Sequence, residues 1–385
     1  MVDPSAPSAP PAATASAAAP AAGPGTLRVG IVGSGMMGQE HLRNLLALEA
    51  TGAGVEVVAL ADPHERSLTD SLGWLPAGRT VALYPDHGSL VADAGCDAVV
   101  VATPNHTHAA VLDDLLATDL HLLVEKPLCT TVADCRRVAD AARDRRGLVW
   151  VGLEYRYMPP VARLIDAVDA GAVGRVRMVA LREHRFPFLV KVGDWNRFDR
   201  FTGGTLVEKC CHFFDLMHRV VGERPERVFA SGGQAVNHLD ERYDGETPDI
   251  LDHAFVVLDF PGGARGMLDL CMFAEGGVNQ EELSVVGDVG KVEAFLPSSI
   301  VRTGTRAGGA AGVHEEVATD PRVAHEGFHH GASYVEHLRF LEAIRTGSAP
   351  EVGVDDGLWS VAVGVAAQRS IAEARPVELA EVLGD

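Results

Sequence analysis

The stretch from Thr26 to Leu48, "TLRVGIVGSGMMGQEHLRNLLAL", constrains the chain more than any other part of it. An apolar run of strand length leads into Gly33-Ser34-Gly35-Met36-Met37-Gly38, and apolar residues at helical spacing follow. Strand, glycine turn and helix in that order predict a unit that cradles a pyrophosphate. The first glycine permits the tight turn, the second lets the backbone approach the phosphates, and the third lets helix and strand pack closely. Unpaired N–H groups and the positive end of the helix dipole supply the attraction. The next apolar run, "VEVVALADP" at 55–63, carries Asp62, which follows Gly38 by 24 residues (62 − 38). An acid there accepts hydrogen bonds from an adenosine ribose and repels a 2′-phosphate, so NAD is expected over NADP, with His64 and Arg66 the nearby groups working against that choice.

Further continuous apolar runs, "CDAVVVATP" at 96–104 and "HLLVEKP" at 121–127, suit strands buried on both faces, with helical stretches between them. The expectation is α/β: an N-terminal Rossmann domain, a doubly wound parallel sheet, over residues 26–150, preceded by a disordered Ala/Pro-rich tail at 1–25. Alternating segments such as "RVRMVALREHRF" and "EELSVVGDVGKVEAF" then predict a C-terminal α+β domain at 151–385, with a large, mostly antiparallel sheet for substrate binding and oligomerisation. Its last helices, near 333–346 and 355–374, are expected to close the chain and to be able to pack back on the first domain. With 385 residues there is enough chain for two cores.

Composition narrows the function classes. A net charge of −20 argues against nucleic acid and anionic membrane as partners, and no uninterrupted apolar stretch is long enough to span a bilayer. The Ala/Pro start lacks the basic and leucine-rich segments of a signal peptide. Cysteines 96, 129, 135, 210, 211 and 271 show no paired spacing, which predicts free thiols in a cytoplasmic protein. His325, His329 and His330 in "HEGFHH" have no carboxylate or cysteine pattern to complete a metal site, so no metal is expected.

"ATPNHTH" at 102–108 and "EKP" at 125–127 both follow strands, at the carboxyl edge where open α/β sheets bind ligands. With the glycine turn, these segments make the chain resemble the Gfo/Idh/MocA oxidoreductases of sugars and inositol, over essentially everything after residue 26. The resemblance implies that Thr103, Pro104, Asn105, His108, Glu125 and Lys126 line the nicotinamide, that Lys126 is catalytic, and that the Lys126–Pro127 bond is cis. It also implies a homodimer or homotetramer.

Oxidising a secondary alcohol releases a proton that a sugar hydroxyl gives up reluctantly. Unassisted transfer from a group near water's 15.7 to imidazole near 6.5 is uphill by roughly 12 kcal/mol, so a base and a cation must share the work. Lys126 is the cation. In "GGTLVEKCCHFFDLMHRVVG", helical spacing predicts Glu208 and His212 on one face, in mutual reach, with Asp215 three residues on. His212 is then the base, its tautomer fixed by the carboxylate one turn earlier. The family has Asp where this chain has Glu208, which is a departure. Tyr155, Arg156, Tyr157, Trp195, Asn196 and Arg197 occupy stretches that the resemblance turns toward the sugar, with Tyr155, Arg156, Trp195 and Arg197 taken as substrate contacts. The expected function is NAD-dependent hydride transfer to or from a cyclic polyol. Two alternatives are a glycosidase that oxidises the ring transiently, and an NAD-sensing regulator without catalysis.

Overall fold

The computed structural model describes residues 25–384. The expected tail at 1–25 therefore lies, apart from Gly25, outside the described residues.

Six short strands, β1 (Leu27–Val32), β2 (Val55–Ala61), β3 (Ala82–Tyr84), β4 (Ala98–Val101), β5 (His121–Glu125) and β6 (Val149–Gly152), form one parallel sheet. Its order is β3-β2-β1-β4-β5-β6. The apolar runs read from the sequence are its central strands, buried on both faces because helices cover each side. The order reverses between β1 and β4, and the crevice beyond their carboxyl ends is where such a sheet receives a ligand. Helix α1 (Met36–Ala50) begins there.

The remaining strands are β7 (Val176–His184), β8 (Arg227–Gly233), β9 (His253–Asp259), β10 (Arg265–Cys271), β11 (Glu281–Gly287), β12 (Gly290–Leu296), β13 (Ile300–Thr305), β14 (His314–Val317) and β15 (Val377–Glu378). They make a mixed sheet ordered β14-β13-β12-β11-β7-β10-β9-β8-β15, antiparallel except for the β7–β10 pair. Alternation along β9, β10 and β11 sends every second side chain into the core. The buried face meets α3 (Cys211–Val221) at β7 and the long helix α5 (Val354–Glu373) at β8, and α5 packs in turn on α3 and on α2 (Thr205–Glu208); the other long helix near the end of the chain is α4 (Ala332–Thr346).

Those last helices bind the two sheets together. Helix α4 packs on α1, and α5 packs on β8 and α3 on one side and on β6 and the helix Val132–Ala142 on the other. Gly357 and Gly364 make this possible, since a Cβ at either would crowd Leu128 or the Leu206 carbonyl. Among the described residues, no helix is long and apolar enough to cross a membrane.

Candidate active site

Gly33 turns the chain with φ at +92°, and a side chain there would stand 2.6 Å from the Ala102 carbonyl. Gly38 lies against the Gly33 carbonyl, leaving no room for a Cβ. The first and third glycines are thus required by close packing. The second, Gly35, has nothing within 4 Å of its would-be Cβ, so the start of α1 opens directly onto the crevice. Helix α1 has no side-chain cap and no acid in its first turn, which leaves its N–H groups free for an anion.

Asp62 is held beside this turn. Ser34 N–H donates to its Oδ2 at 2.7 Å and His64 N–H to its Oδ1 at 2.8 Å. A cleft of about 250 Å³ runs from these residues past Thr103, Pro104 and Asn105 to Glu125 and Lys126. Val190, Lys191, Val192 and Trp195, from the segment after β7, form its far wall. The Lys191 ammonium sits 4.5 Å from the centroid of the Trp195 ring.

His108 is a correction. It is fully buried behind the cleft, not on its lining, with Nδ1 2.9 Å from the Pro127 carbonyl and Nε2 3.0 Å from the Thr103 carbonyl. Its ring clamps the two edge segments to one another. The Lys126–Pro127 bond is cis.

Glu125 turns inward as well as lining the cleft. His41 Nε2–H donates to its Oε1 at 2.9 Å, and His337 Nε2 lies 2.9 Å from His41 Nδ1, so a buried chain runs from α4 through α1 to β5. Burial opposes ionisation of Glu125, but His41 and then Lys126 outweigh it and bring the carboxyl down to about 2. The second oxygen of this carboxylate accepts the Lys126 backbone N–H at 3.1 Å, which fixes the base of the lysine.

The Lys126 ammonium crosses to the second half of the chain and donates to the Glu208 carbonyl at 3.1 Å. Burial works against its charge, yet the acidic groups around it, Cys211, Glu125, Glu208 and Glu154, hold it above the ordinary lysine range. His212, four residues beyond Glu208, is 1% exposed. Burial first, then the charges of Lys126 and Lys209, push it well below the usual imidazole value, so it stands as a neutral ring able to take a proton. Tyr155 stacks on it with centroids 3.9 Å apart and planes 7° from parallel.

The expected contact between Glu208 and His212 does not form. The segment is two helices, α2 ending at Glu208 and α3 beginning at Cys211, so helical spacing does not carry from one residue to the other. The Glu208 carboxylate turns outward to the Lys191 ammonium at 3.2 Å. Arg156 and Asp215 are likewise spent on each other: Arg156 Nε donates to Asp215 Oδ2 at 2.7 Å, and neither residue lines the cleft. Arg197, also buried, pairs with Glu241 at 3.0 Å. Asn196 donates to the Leu189 carbonyl, and Tyr157 to Glu351. Of the residues expected to face a sugar, Trp195 reaches the cleft and Tyr155 lies beneath His212.

Two groups were not anticipated. Glu154, beside Tyr155, and His329, from the "HEGFHH" loop, meet at 3.3 Å next to His212. The only sequence signal was the presence of each in a stretch singled out for its neighbours. Among the described residues, no group of His, Cys, Asp or Glu could hold a metal ion.

Two family profiles match the chain: "Oxidoreductase family, NAD-binding Rossmann fold" over residues 27–153, and "Oxidoreductase family, C-terminal alpha/beta domain" over 165–379. The chain belongs to the Gfo/Idh/MocA oxidoreductase family. Among its relatives, inositol 2-dehydrogenase 1 of Saccharopolyspora erythraea is 30% identical over 364 residues, covering 92% of this chain and 96% of the relative. Myo-inositol 2-dehydrogenase of Thermotoga maritima is 29% identical over 369 residues, covering 93% and 100%. The crystal structure of a putative myo-inositol dehydrogenase from Sinorhizobium meliloti superposes with a TM-score of 0.73 at 25% identity, covering 92% of this chain and 100% of that one. The open start of α1, its unpaired N–H groups and the Asp62 carboxylate fit the dinucleotide that the first profile names.

Proposed function

We propose that this member of the family transfers a hydride between NAD and a secondary hydroxyl or ketone of a cyclic polyol, a sugar or an inositol. One observation carries the reading. An ammonium from the end of β5 lines the dinucleotide cleft, and a neutral imidazole from the start of α3 is buried behind it, near enough for the lysine's charge to act on the ring. NAD+ supplies the hydride acceptor when bound. Lys126 stabilises the oxyanion that develops as the C–H bond breaks, and His212 takes the hydroxyl proton. Trp195 offers its ring to the apolar face of the substrate. Inositol is the first polyol to test, because the relatives above carry that substrate in their names.

The preference for NAD over NADP follows from Asp62, whose carboxylate stays beside the turn, while Arg66 is 93% exposed and directed to Asp70. The division near residue 150 into a cofactor part and a substrate part belongs to the same reading, as does a cytoplasmic home for six free cysteines. Self-association is supported by the open face of the second sheet. Phe229, Val257 and Met267 stand side by side across β8, β9 and β10 with Phe255 on the same face, and all four are exposed.

The test is to incubate the purified protein with myo-inositol, glucose or xylose and NAD+ or NADP+, following reduced cofactor and product mass. Accumulating NADH with a ketone product supports the reading. Cleavage of a glycoside without net NADH, or binding of NAD with no turnover of any polyol, overturns it.

A further inference from the structure

Beside Lys126 the chain gathers acid–base groups that the redox reading leaves unused. Glu154 belongs to the turn after β6, and His329 to the turn Gly327–His329 that precedes α4. Glu154 Oε1 lies 3.8 Å from His212 Nε2 and 3.3 Å from His329 Nδ1. Both oxygens of Glu154, and Nδ1 of each histidine, are buried with no hydrogen-bond partner among the described residues. Native proteins rarely leave such atoms unpaired, and those they leave concentrate where protons or ligands are handled.

The side chains grade outward. His212 is 1% exposed, Glu154 2% and His329 20%. Tyr155 covers one face of the His212 ring, and the two acids nearest in sequence are engaged elsewhere, Asp215 by Arg156 and Glu208 by Lys191. His329 is held at the mouth because the next residue back, Phe328, donates its N–H to Glu40 of α1 at 3.2 Å.

We propose that Glu154 and His329 are the route by which the substrate proton, once taken by His212, reaches solvent. This rests on His212 being the base of the reaction proposed above. As the hydride leaves the carbinol carbon for NAD+, the hydroxyl O–H bond breaks and an N–H bond forms on the His212 ring. Glu154 passes its own carboxyl proton from Oε1 to His329 Nδ1, and His212 Nε2–H refills Oε1. His329 then releases its outer, Nε2 proton to water and is left as the Nδ1–H tautomer, which proton exchange with water returns to the starting form before the next turnover. One proton enters and one leaves.

The charged groups facing this pair are Glu125 and Lys126 at the end of β5, Lys209 between α2 and α3, Arg185 after β7 and Glu336 on α4. Burial, then the charge of Glu125, lifts Glu154 to about 8. Burial, then Lys209, lowers His329 to about 3. At neutral pH the carboxyl therefore carries a proton to pass on, and the outer imidazole does not retain one.

The experiment uses the full chain with Glu154→Gln and His329→Gln, assayed with myo-inositol, glucose or xylose and NAD+ at low and high imidazole. At low imidazole kcat should fall about 100-fold in each variant, the lower end for lost proton transfer, with KM and NADH affinity unchanged. Added imidazole should restore His329→Gln, whose site meets solvent. The wild type should show a limb near pH 8 in its pH–rate profile, and Glu154→Gln should lose it. An active wild type with either variant at full kcat, a loss confined to KM, or no rescue of His329→Gln by imidazole sinks the relay and leaves the redox reading standing. A wild type inert toward all three polyols sinks the redox reading, and the relay with it.

Discussion

The floor of the cleft takes Gly33, Gly35, Met36 and Met37 from a single turn of chain, whereas the wall of buried side chains behind Lys126, outside the cleft's own lining, takes Glu154, His212 and His329 from segments 58 (212 − 154) and 117 (329 − 212) residues apart. The floor works through backbone: a tight turn, a close approach and free N–H groups at a helix start, each set by a few adjacent residues. The wall works through side chains whose chemistry is changed by burial and by one another. A motif that acts through its own backbone keeps its meaning in the sequence, while a cluster assembled by packing acquires meaning only where the chain comes together.

This contrast can be broken at several points. Changes in the wall should reduce turnover and spare cofactor binding, and changes at the floor should do the reverse. The largest effect is expected for His212→Ala, with kcat falling roughly 10²–10⁴-fold while NADH still binds by fluorescence titration. Full activity would move the base elsewhere. Lys126→Ala should lower kcat by about 10²–10³, the scale for removing one group that stabilises an oxyanion, again with NADH affinity retained in the same titration. A loss of binding instead of turnover would make the lysine part of the floor.

Asp62→Ala should weaken NAD by about tenfold, near the lower end for a hydrogen bond to a charged group, and NADP by less. Equal losses measured by calorimetry would remove the ribose argument. Glu208→Gln should change kcat by no more than about threefold, since the partner of this carboxylate is the partly exposed Lys191. A hundredfold loss would return Glu208 to the base it does not touch here.

The wall also sets a pH dependence. Oxidation needs His212 unprotonated, and burial with Lys126 and Lys209 nearby pushes its value well below that of a free imidazole. The rate of oxidation should therefore stay level as pH falls from 7 toward the ordinary histidine value, about 6.5, and decline only in more acidic solution. A midpoint at the ordinary value in kcat/KM would mean that the ring is not held as the structure has it.

The misreadings share a cause. Glu208 and His212 were placed on one helical face because nothing in "LVEKCCHFF" marks a break, but the helix ends at Glu208 and restarts at Cys211, and the carbonyl at the joint receives Lys126. The sequence places Arg156 at the sugar and Asp215 just past the base, and the fold brings these residues, 59 apart, to each other. His108 sits in a segment that does line the cleft, yet points behind it, because a buried imidazole finds two backbone carbonyls there. His329 lay in a loop weighed only as a metal site.

Alternating strands and helices, the glycine turn with its acid, the shift to an alternating pattern in the second half, and Lys126 at a strand end are all legible along the chain. All of these follow from periodicity and from steric limits that act over a few neighbouring residues. Folding in three dimensions settles which ionisable groups share a solvent-free space, and so which carboxyl keeps its proton and which imidazole gives one up. Desolvation and charge–charge interaction depend on distance in space and on the exclusion of water, and neither quantity is written along a chain.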